Sequence, residues 1–308
     1  MRKEISHSFT RLRMYLRVAR LDHWFKNLYV FTGSVSILIY PEEAIGSVLL
    51  IVRQLLLAFI LACLASSANY MINEIIDGPR DLLHPVKKYR PVPSGLVSSK
   101  KLWIMAGVFA TVSLAGAIIL MSIHFVVTLL FFLIIGGIVY NVPPIRTKDI
   151  VYLDVLSESI NGPIRLFLGW FALTTQNYPP LLLTLACWFF PAFLMTSKRY
   201  VELLFIGDSG KAAAYRTSFK HYTEKILLRT MVVYIILTVS IFLIFIFMCA
   251  KYQLFILIPF FIIFIFWFFH LVKKRGRIIR EPEHIWEESG FTLYCISMVL
   301  LSVILVLL

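Results

Sequence analysis

Nine apolar stretches set the terms for this chain. They lie at about 25–40, 44–72, 102–121, 125–141, 153–174, 180–197, 226–249, 253–272 and 291–308. A helix that crosses a bilayer needs about 20 mostly apolar residues, with a range of about 17–25. A chain built of such stretches is expected to be all-α: a polytopic membrane bundle of nine transmembrane helices, forming one domain over 1–308. Composition agrees, with 59% of the residues hydrophobic and 15% charged, against about 45–50% and about 25% in a soluble domain.

The linkers between the stretches alternate in character. Those at 41–43, 122–124, 175–179 and 250–252 are very short, and those at 73–101, 142–152, 198–225 and 273–290 are long and charged. Almost all Lys and Arg fall in the N-terminal segment or the long linkers; Arg53, Arg165, Arg229 and Lys251 stand apart. Basic residues stay on the cytoplasmic side of a membrane. The expected topology therefore has a cytoplasmic N-terminus, with residues 1–24 cytoplasmic or interfacial, and cytoplasmic long linkers. From Leu16 to Trp24 the mixed pattern suits a helix lying on the membrane surface. A net charge of +13 then reflects topology plus an anionic ligand or lipid. It does not read as a nucleic-acid patch, because no aromatic-basic module carries it.

One polar stretch stands out, Asn73 to Lys101. Asn73, Asp77 and Asp81 recur every four residues, which places them along one helix face. Carboxylates near a bilayer are costly and usually face the bundle interior or a watery cavity. Gly78-Pro79 interrupts the pattern, and proline removes a backbone hydrogen bond, so Asp81 is expected beyond a kink. Cations follow at once in His84-Pro85-Val86-Lys87-Lys88-Tyr89-Arg90-Pro91. Carboxylates ahead of cations suit a magnesium-bound, phosphate-rich ligand, since Mg2+ takes oxygen ligands and is usually shared with substrate phosphates. A merely topogenic loop explains the charge here but not the proline-framed spacing.

Three further clusters carry polar groups. Tyr140-Asn141-Val142-Pro143-Pro144-Ile145-Arg146-Thr147-Lys148-Asp149 leads into Asp154 and Glu158, a faint echo of the first acidic stripe, and then Arg165. An intramembrane Arg is a functional candidate with a buried acid or a phosphate as partner; a structural ion pair is the alternative. Ser197-Lys198-Arg199-Tyr200-Val201-Glu202 sits where cations either face the same cavity or snorkel to the interface. Arg280-Glu281-Pro282-Glu283-His284 reads as a loop that caps the site. Other chemistries lack their residues. There is no phosphate-cradling Gly-Lys-Ser/Thr loop, no nucleophilic Ser elbow, and Cys63, Cys187, Cys249 and Cys295 show neither metal nor disulfide spacing.

The spaced Asn73, Asp77 and Asp81 between the second and third apolar stretches resemble the UbiA superfamily of intramembrane prenyltransferases. Further segments are similar to its bacterial decaprenyl-phosphate phosphoribosyltransferase branch: Arg20-Leu21-Asp22-His23-Trp24-Phe25-Lys26-Asn27, residues 84–91 with Gly95, Lys198-Arg199-Tyr200-Val201-Glu202-Leu203, Tyr215-Arg216 to Tyr222-Thr223, and Glu281-Pro282-Glu283. The resemblance implies Mg2+-dependent transfer of 5-phosphoribose from phosphoribosyl pyrophosphate to a polyprenyl phosphate, releasing pyrophosphate at the cytoplasmic face of the cell membrane. It implies catalytic roles for Asp77, Asp81 and Asp154, metal ligation by Asn73, Asp77 and Asp81, and phosphate binding by Lys26, Lys87, Arg90, Tyr140, Lys148, Arg165, Lys198 and Arg199. Glu74, where the family often has Asp, and Gly78-Pro79 depart from its pattern. Two alternatives are prenyl transfer from a prenyl diphosphate to an aromatic acceptor, and transport of anionic lipids or metabolites. The first wants two similar acidic motifs; the second has no need of spaced acids.

Overall fold

The computed structural model describes residues 13–39, 47–274 and 276–307, and leaves the Glu283 side chain undescribed. Residues 1–12 and the linker at 41–43 therefore lie outside it. The described residues form helices and connecting turns, without strands. The α-helices are α1 (Val30–Ile37), α2 (Val48–Asp81), α3 (Ser99–Ala117), α4 (Ile123–Leu133), α5 (Leu153–Ser159), α6 (Asn161–Phe171), α7 (Leu181–Ile206), α8 (Ser209–Tyr215), α9 (Glu224–Met248), α10 (Leu257–Lys273), α11 (Arg277–Arg280) and α12 (Ser289–Leu307). Six helical stretches are long and apolar enough to cross a membrane: Val48–Asp81, Ser99–Leu120, Leu181–Ile206, Glu224–Met248, Tyr252–Lys273 and Ser289–Leu307. The protein is a multi-pass membrane protein.

The other three apolar stretches are built differently. The first is a 3-10 helix, Leu21–Tyr29, running into α1. The fourth is α4 followed by a π-helical turn at Ile134–Val139. The fifth is divided into α5 and α6, with Asn161-Gly162-Pro163 opening the second piece. Proline is tolerated in a first helical turn because its missing N–H has no partner there anyway. These interrupted stretches pack inside the bundle. A Cβ on Gly33 would fall 1.9 Å from the Leu166 carbonyl oxygen, and one on Gly169 1.8 Å from that of Val30. Small residues let α1 and α6 touch backbone to backbone, as membrane helix pairs do.

Two aliphatic and aromatic cores result. One joins α1, α2, α4 and α6 around Phe125, Phe132, Leu168 and Trp170. The other joins α7, α9, α10 and α12 around Phe193, Phe264, Phe268 and Phe291, whose rings meet at 4.9–6.4 Å between centroids.

Two expectations change. Pro79 does not break α2: the helix runs through it to Asp81. The proline stands in the last turn, so its missing N–H costs only one hydrogen bond near the helix end, where carbonyls are already free. Residues 16–24 do not lie only on a membrane surface. Val18 and Ala19 are buried against Met71 and Leu102, and Trp24 Nε1 donates to Ser67 Oγ at 3.0 Å. Polar side chains in this segment find partners on α2, which draws it into the bundle.

Candidate active site at the polar end of the bundle

The four long linkers meet at one end of the bundle, where the C-terminus of α2 delivers its acidic face. Asp77 Oδ1 accepts from Arg146 NH2 at 2.9 Å and from Lys148 Nζ at 2.5 Å. Lys148 also reaches Asn141 Oδ1 at 2.8 Å and Asn73 Oδ1 at 3.5 Å. Burial is the main force that draws Lys148 down to about 8, with Asp77 opposing it. One turn on, Asp81 is buried and its Oδ2 accepts from Arg90 NH1 at 2.8 Å, while its Oδ1 has no partner among the described residues. Glu74 faces another way: it accepts from the Val92 backbone N–H at 3.2 Å and lies 4.0 Å from Arg20. Its longer side chain clamps the 82–98 linker to α2 and leaves the acidic face intact.

The second acidic element lies beside Arg216. Asp154, on α5, is fully buried. It accepts from Tyr222 OH at 2.6 Å, Ser218 Oγ at 3.2 Å and Arg199 Nε at 3.2 Å, with Arg216 NH1 at 3.8 Å. Burial and the neighbouring carboxylate push the Tyr222 phenol up, so it stays a donor. Tyr140 OH accepts from Arg199 NH2 at 3.0 Å and Arg216 NH1 at 3.4 Å. Arg216 joins the two acidic elements, because it also lines the cavity bounded by Asp77, Arg80, Arg146, Lys148, Asp149 and Tyr215. Asp149 holds two of these cations in place, Arg80 through both oxygens at 2.7 and 2.8 Å and Arg146 Nε at 2.9 Å.

A third cluster docks the 82–98 linker. Lys87 Nζ donates to both Glu202 Oε1 and Tyr215 OH. Glu202, fully buried, also receives Arg199 NH1 at 3.3 Å and Tyr215 OH at 3.4 Å. His84 Nδ1 accepts the backbone N–H groups of Val86 and Lys87, each at 3.1 Å. With Nδ1 an acceptor, the ring's proton sits on Nε2, which points at Glu202 Oε1 at 3.7 Å. Burial first, and the Lys87 charge next, pull His84 down to about 3. It stays neutral and shapes the turn that presents Lys87.

The remaining expected phosphate binders lie elsewhere around this space. Lys26 pairs with His23 Nδ1 at 2.9 Å. Lys198 is within electrostatic reach of Lys26, Lys87 and Glu202. Arg165 lies deeper: Nε donates to Asn27 Oδ1 at 2.8 Å, NH1 to the Asn161 carbonyl at 3.2 Å, and the guanidinium stacks on Phe132 at 5.0 Å. Glu281 pairs with Arg277 at 2.7 Å and Arg280 at 3.3 Å. Its neighbour Arg280 packs 3.6 Å from the Phe205 ring centroid, which stacks beside His84.

Sequence reasoning left Arg146, Glu202, Tyr215, Arg216 and Tyr222 without roles, although these residues tie the clusters together. Their signal was their place in the charged linkers at 142–152 and 198–225. Their decisive partners lie far along the chain: Arg146 meets Asp77 across 69 positions, Tyr222 meets Asp154 across 68, and Tyr215 meets Lys87 across 128. Among the described residues no group of three or more His, Cys, Asp and Glu could hold a metal by itself. The residues present nonetheless suit a hard cation shared with a phosphorylated ligand. Asn73, Asp77 and Asp81 offer oxygen only, one Asp81 oxygen is buried and unpartnered, and Mg2+ usually takes one or two carboxylates plus substrate phosphates.

Comparison with known proteins bears on this arrangement. The UbiA prenyltransferase family model matches residues 30–278. A decaprenyl-phosphate phosphoribosyltransferase from Mycolicibacterium smegmatis is 28% identical over 224 residues, 69% of this chain and 63% of the relative. One from Mycobacterium tuberculosis is 27% identical over 214 residues, 68% of this chain and 66% of the relative. The chain thus spans a little under two thirds of the length of these curated relatives. A solved UbiA homologue from Archaeoglobus fulgidus, bound to GPP and Mg2+, matches with a TM-score of 0.67 at 20% identity, covering 93% of this chain and 99% of that one. That likeness is one of fold.

Proposed function

This chain belongs to the UbiA prenyltransferase family, and from that premise we propose that it transfers 5-phosphoribose from phosphoribosyl pyrophosphate to a polyprenyl phosphate, with its site on the cytoplasmic face of the cell membrane. The observation that carries the reading is the number of cations around one acid-bearing chamber. Arg80, Arg146, Lys148 and Arg216 line it, and Lys87, Arg199 and Lys198 adjoin it. One prenyl diphosphate needs fewer; a donor with a diphosphate and a 5-phosphate, plus a phosphorylated acceptor, uses them. The names of the curated relatives support the same donor.

In this reading the acceptor's phosphate oxygen attacks the ribose anomeric carbon as the bond to pyrophosphate breaks. In-line attack inverts that centre. Mg2+, held by Asn73, Asp77 and Asp81 with the donor's phosphates, would offset the charge that develops on the leaving pyrophosphate. Arg146 and Lys148 position Asp77 and present donors toward the same phosphates. Asp154 orients Arg199 and Arg216 rather than touching substrate, and Glu202 with His84 positions Lys87. Lys26, Arg90, Arg165 and Lys198 complete the phosphate-binding set, and Tyr140 fixes both arginines.

The competing reading is prenyl transfer, favoured by the GPP of the Archaeoglobus fulgidus homologue. Purified protein with Mg2+ is assayed with labelled phosphoribosyl pyrophosphate and several polyprenyl phosphates, and separately with prenyl diphosphates and aromatic acceptors. Label in a lipid phosphodiester supports phosphoribosyl transfer. Turnover of prenyl diphosphate alone refutes it, and no turnover of either with Asp77→Asn unchanged in ligand binding refutes both.

A further inference from the structure

The polar stripe of α2 continues one turn deeper than Asn73, to Asn69, which is 8% exposed. Facing it, the stripe of Asp154 and Glu158 continues to Asn161 and Arg165 along α5 and α6. Each amide spends its NH2 on a main-chain carbonyl. Asn69 Nδ2 donates to the Phe132 oxygen at 2.9 Å, and Asn161 Nδ2 donates to the Glu158 oxygen at 2.9 Å. Those bonds fix which amide atom is oxygen. Both oxygens, Asn69 Oδ1 and Asn161 Oδ1, are buried without a partner among the described residues.

The two oxygens converge on one shelf. A Cβ on Gly136 would fall 2.6 Å from Asn69 Nδ2 and 3.6 Å from Asn161 Oδ1, and one on Gly137 would fall 2.7 Å from Asn69 Oδ1. The shelf belongs to the π-helical turn, a feature often found at functional sites. Asn141 Nδ2 caps it at the Gly136 and Gly137 oxygens, at 2.7 and 3.1 Å, and the same side chain accepts from Lys148. The shelf is thus joined to the chamber that holds Asp77. Arg165 flanks it, bound to the Asn161 carbonyl and stacked on Phe132.

Buried polar groups are hydrogen-bonded in native structures, and exceptions call for an explanation. Two acceptors with no protein donor, beside a phosphate-binding chamber, call for a ligand that brings donors. A prenyl chain brings none. A pentose brings vicinal hydroxyls. We propose, resting on the phosphoribosyl reading above, that Asn69 and Asn161 form a hydroxyl-binding subsite that takes the 2- and 3-hydroxyls of the donor's ribose and so selects a sugar over a prenyl group.

The test compares phosphoribosyl pyrophosphate with its 2-deoxy and 3-deoxy counterparts, in wild type and in Asn69→Leu and Asn161→Leu, with Mg2+ and one polyprenyl phosphate. A site built around a hydroxyl rejects the analogue lacking it steeply, so wild type is expected to disfavour at least one deoxy donor by about 100-fold in kcat/KM. In the leucine variants that preference falls to within about threefold, and the KM for the acceptor is unchanged. If a leucine variant does not fold, Asn161→Ser is read the same way. Equal use of all three donors by wild type overturns the subsite, as does an unchanged preference in the variants; in either case phosphoribosyl transfer itself stands. If wild type neither turns over nor binds any of the pentosyl donors, the functional reading fails and takes the subsite with it.

Discussion

Replacing Glu202 by Gln isolates the docking of the 82–98 linker. Glu202 is fully buried and carries the negative charge that faces Lys87, Arg199 and the Nε2–H of His84. Glutamine keeps the shape but turns one carboxylate oxygen into a donor, which then faces Lys87 Nζ or Arg199 NH1. Removing one partner of a buried ion pair costs about 3–5 kcal/mol. Two features lower that figure. Arg199 keeps Asp154 and Tyr140 as acceptors, and Lys87 is 17% exposed and can turn toward water. The remaining loss resembles that of a hydrogen bond to a charged group, about 2–3 kcal/mol at the upper end of the usual range, or a factor of about 30–150 in the docking equilibrium.

Hydrogen exchange in detergent reads this locally. The amides of Val86 and Lys87, which His84 holds, are expected to lose protection by that factor, while the buried stretch of α2 from Leu61 to Met71 keeps its own. The donor KM rises about tenfold or more with little change in kcat, because Lys87 is mispositioned and the reacting atoms are not. Glu202→Asp, which keeps the charge, recovers part of both effects. Wild-type protection at Val86 and Lys87 in Glu202→Gln would refute the claim that this carboxylate holds the linker.

Asp77→Asn is expected to abolish Mg2+-dependent turnover by at least about 100-fold while the protein's melting temperature changes by a few degrees only, checked by assay and thermal unfolding side by side. His84, near 3 in the fold against about 6.5 unfolded, is neutral in both states above pH 7; as pH falls below 6.5 the unfolded chain takes the proton first, so the fold loses about 2 kcal/mol by pH 5. His84→Gln is expected to show a flatter fall in melting temperature between pH 7.5 and 5, and equal slopes would sink the assignment. Gly169→Ala forces a Cβ within 1.8 Å of the Val30 oxygen and is expected to destabilise by about 1–3 kcal/mol or more. Gly107→Ala, which meets nothing within 4 Å, is expected to stabilise its helix by about 0.5–1 kcal/mol; differential melting of the pair checks both.

What the sequence disclosed follows the range over which each physical cause acts. The acidic stripe was legible because Asn73, Asp77 and Asp81 lie on one helix and obey its period, which needs no tertiary knowledge. The all-helical membrane fold was legible because lipid imposes length and apolarity on every crossing segment. The interruption of the fifth apolar stretch was written locally too, in Asn161-Gly162-Pro163, and continuous hydrophobicity masked it. Pro79 misled for the opposite reason: a rule about helix interiors was applied at a helix end, where few backbone bonds remain to lose. The charge partners were not legible. Lys87 with Glu202, Arg199 with Asp154, and Arg216 between Asp154 and the Asp77 cavity each depend on how linkers fold against one another. The cations among them were nonetheless confined to the long linkers, which the fold brings to one end of the bundle. That confinement is why a rule about topology also found the candidate site: the basic linkers fold together at one end, and the acids Asp77, Asp154 and Glu202 hold their cations in fixed positions.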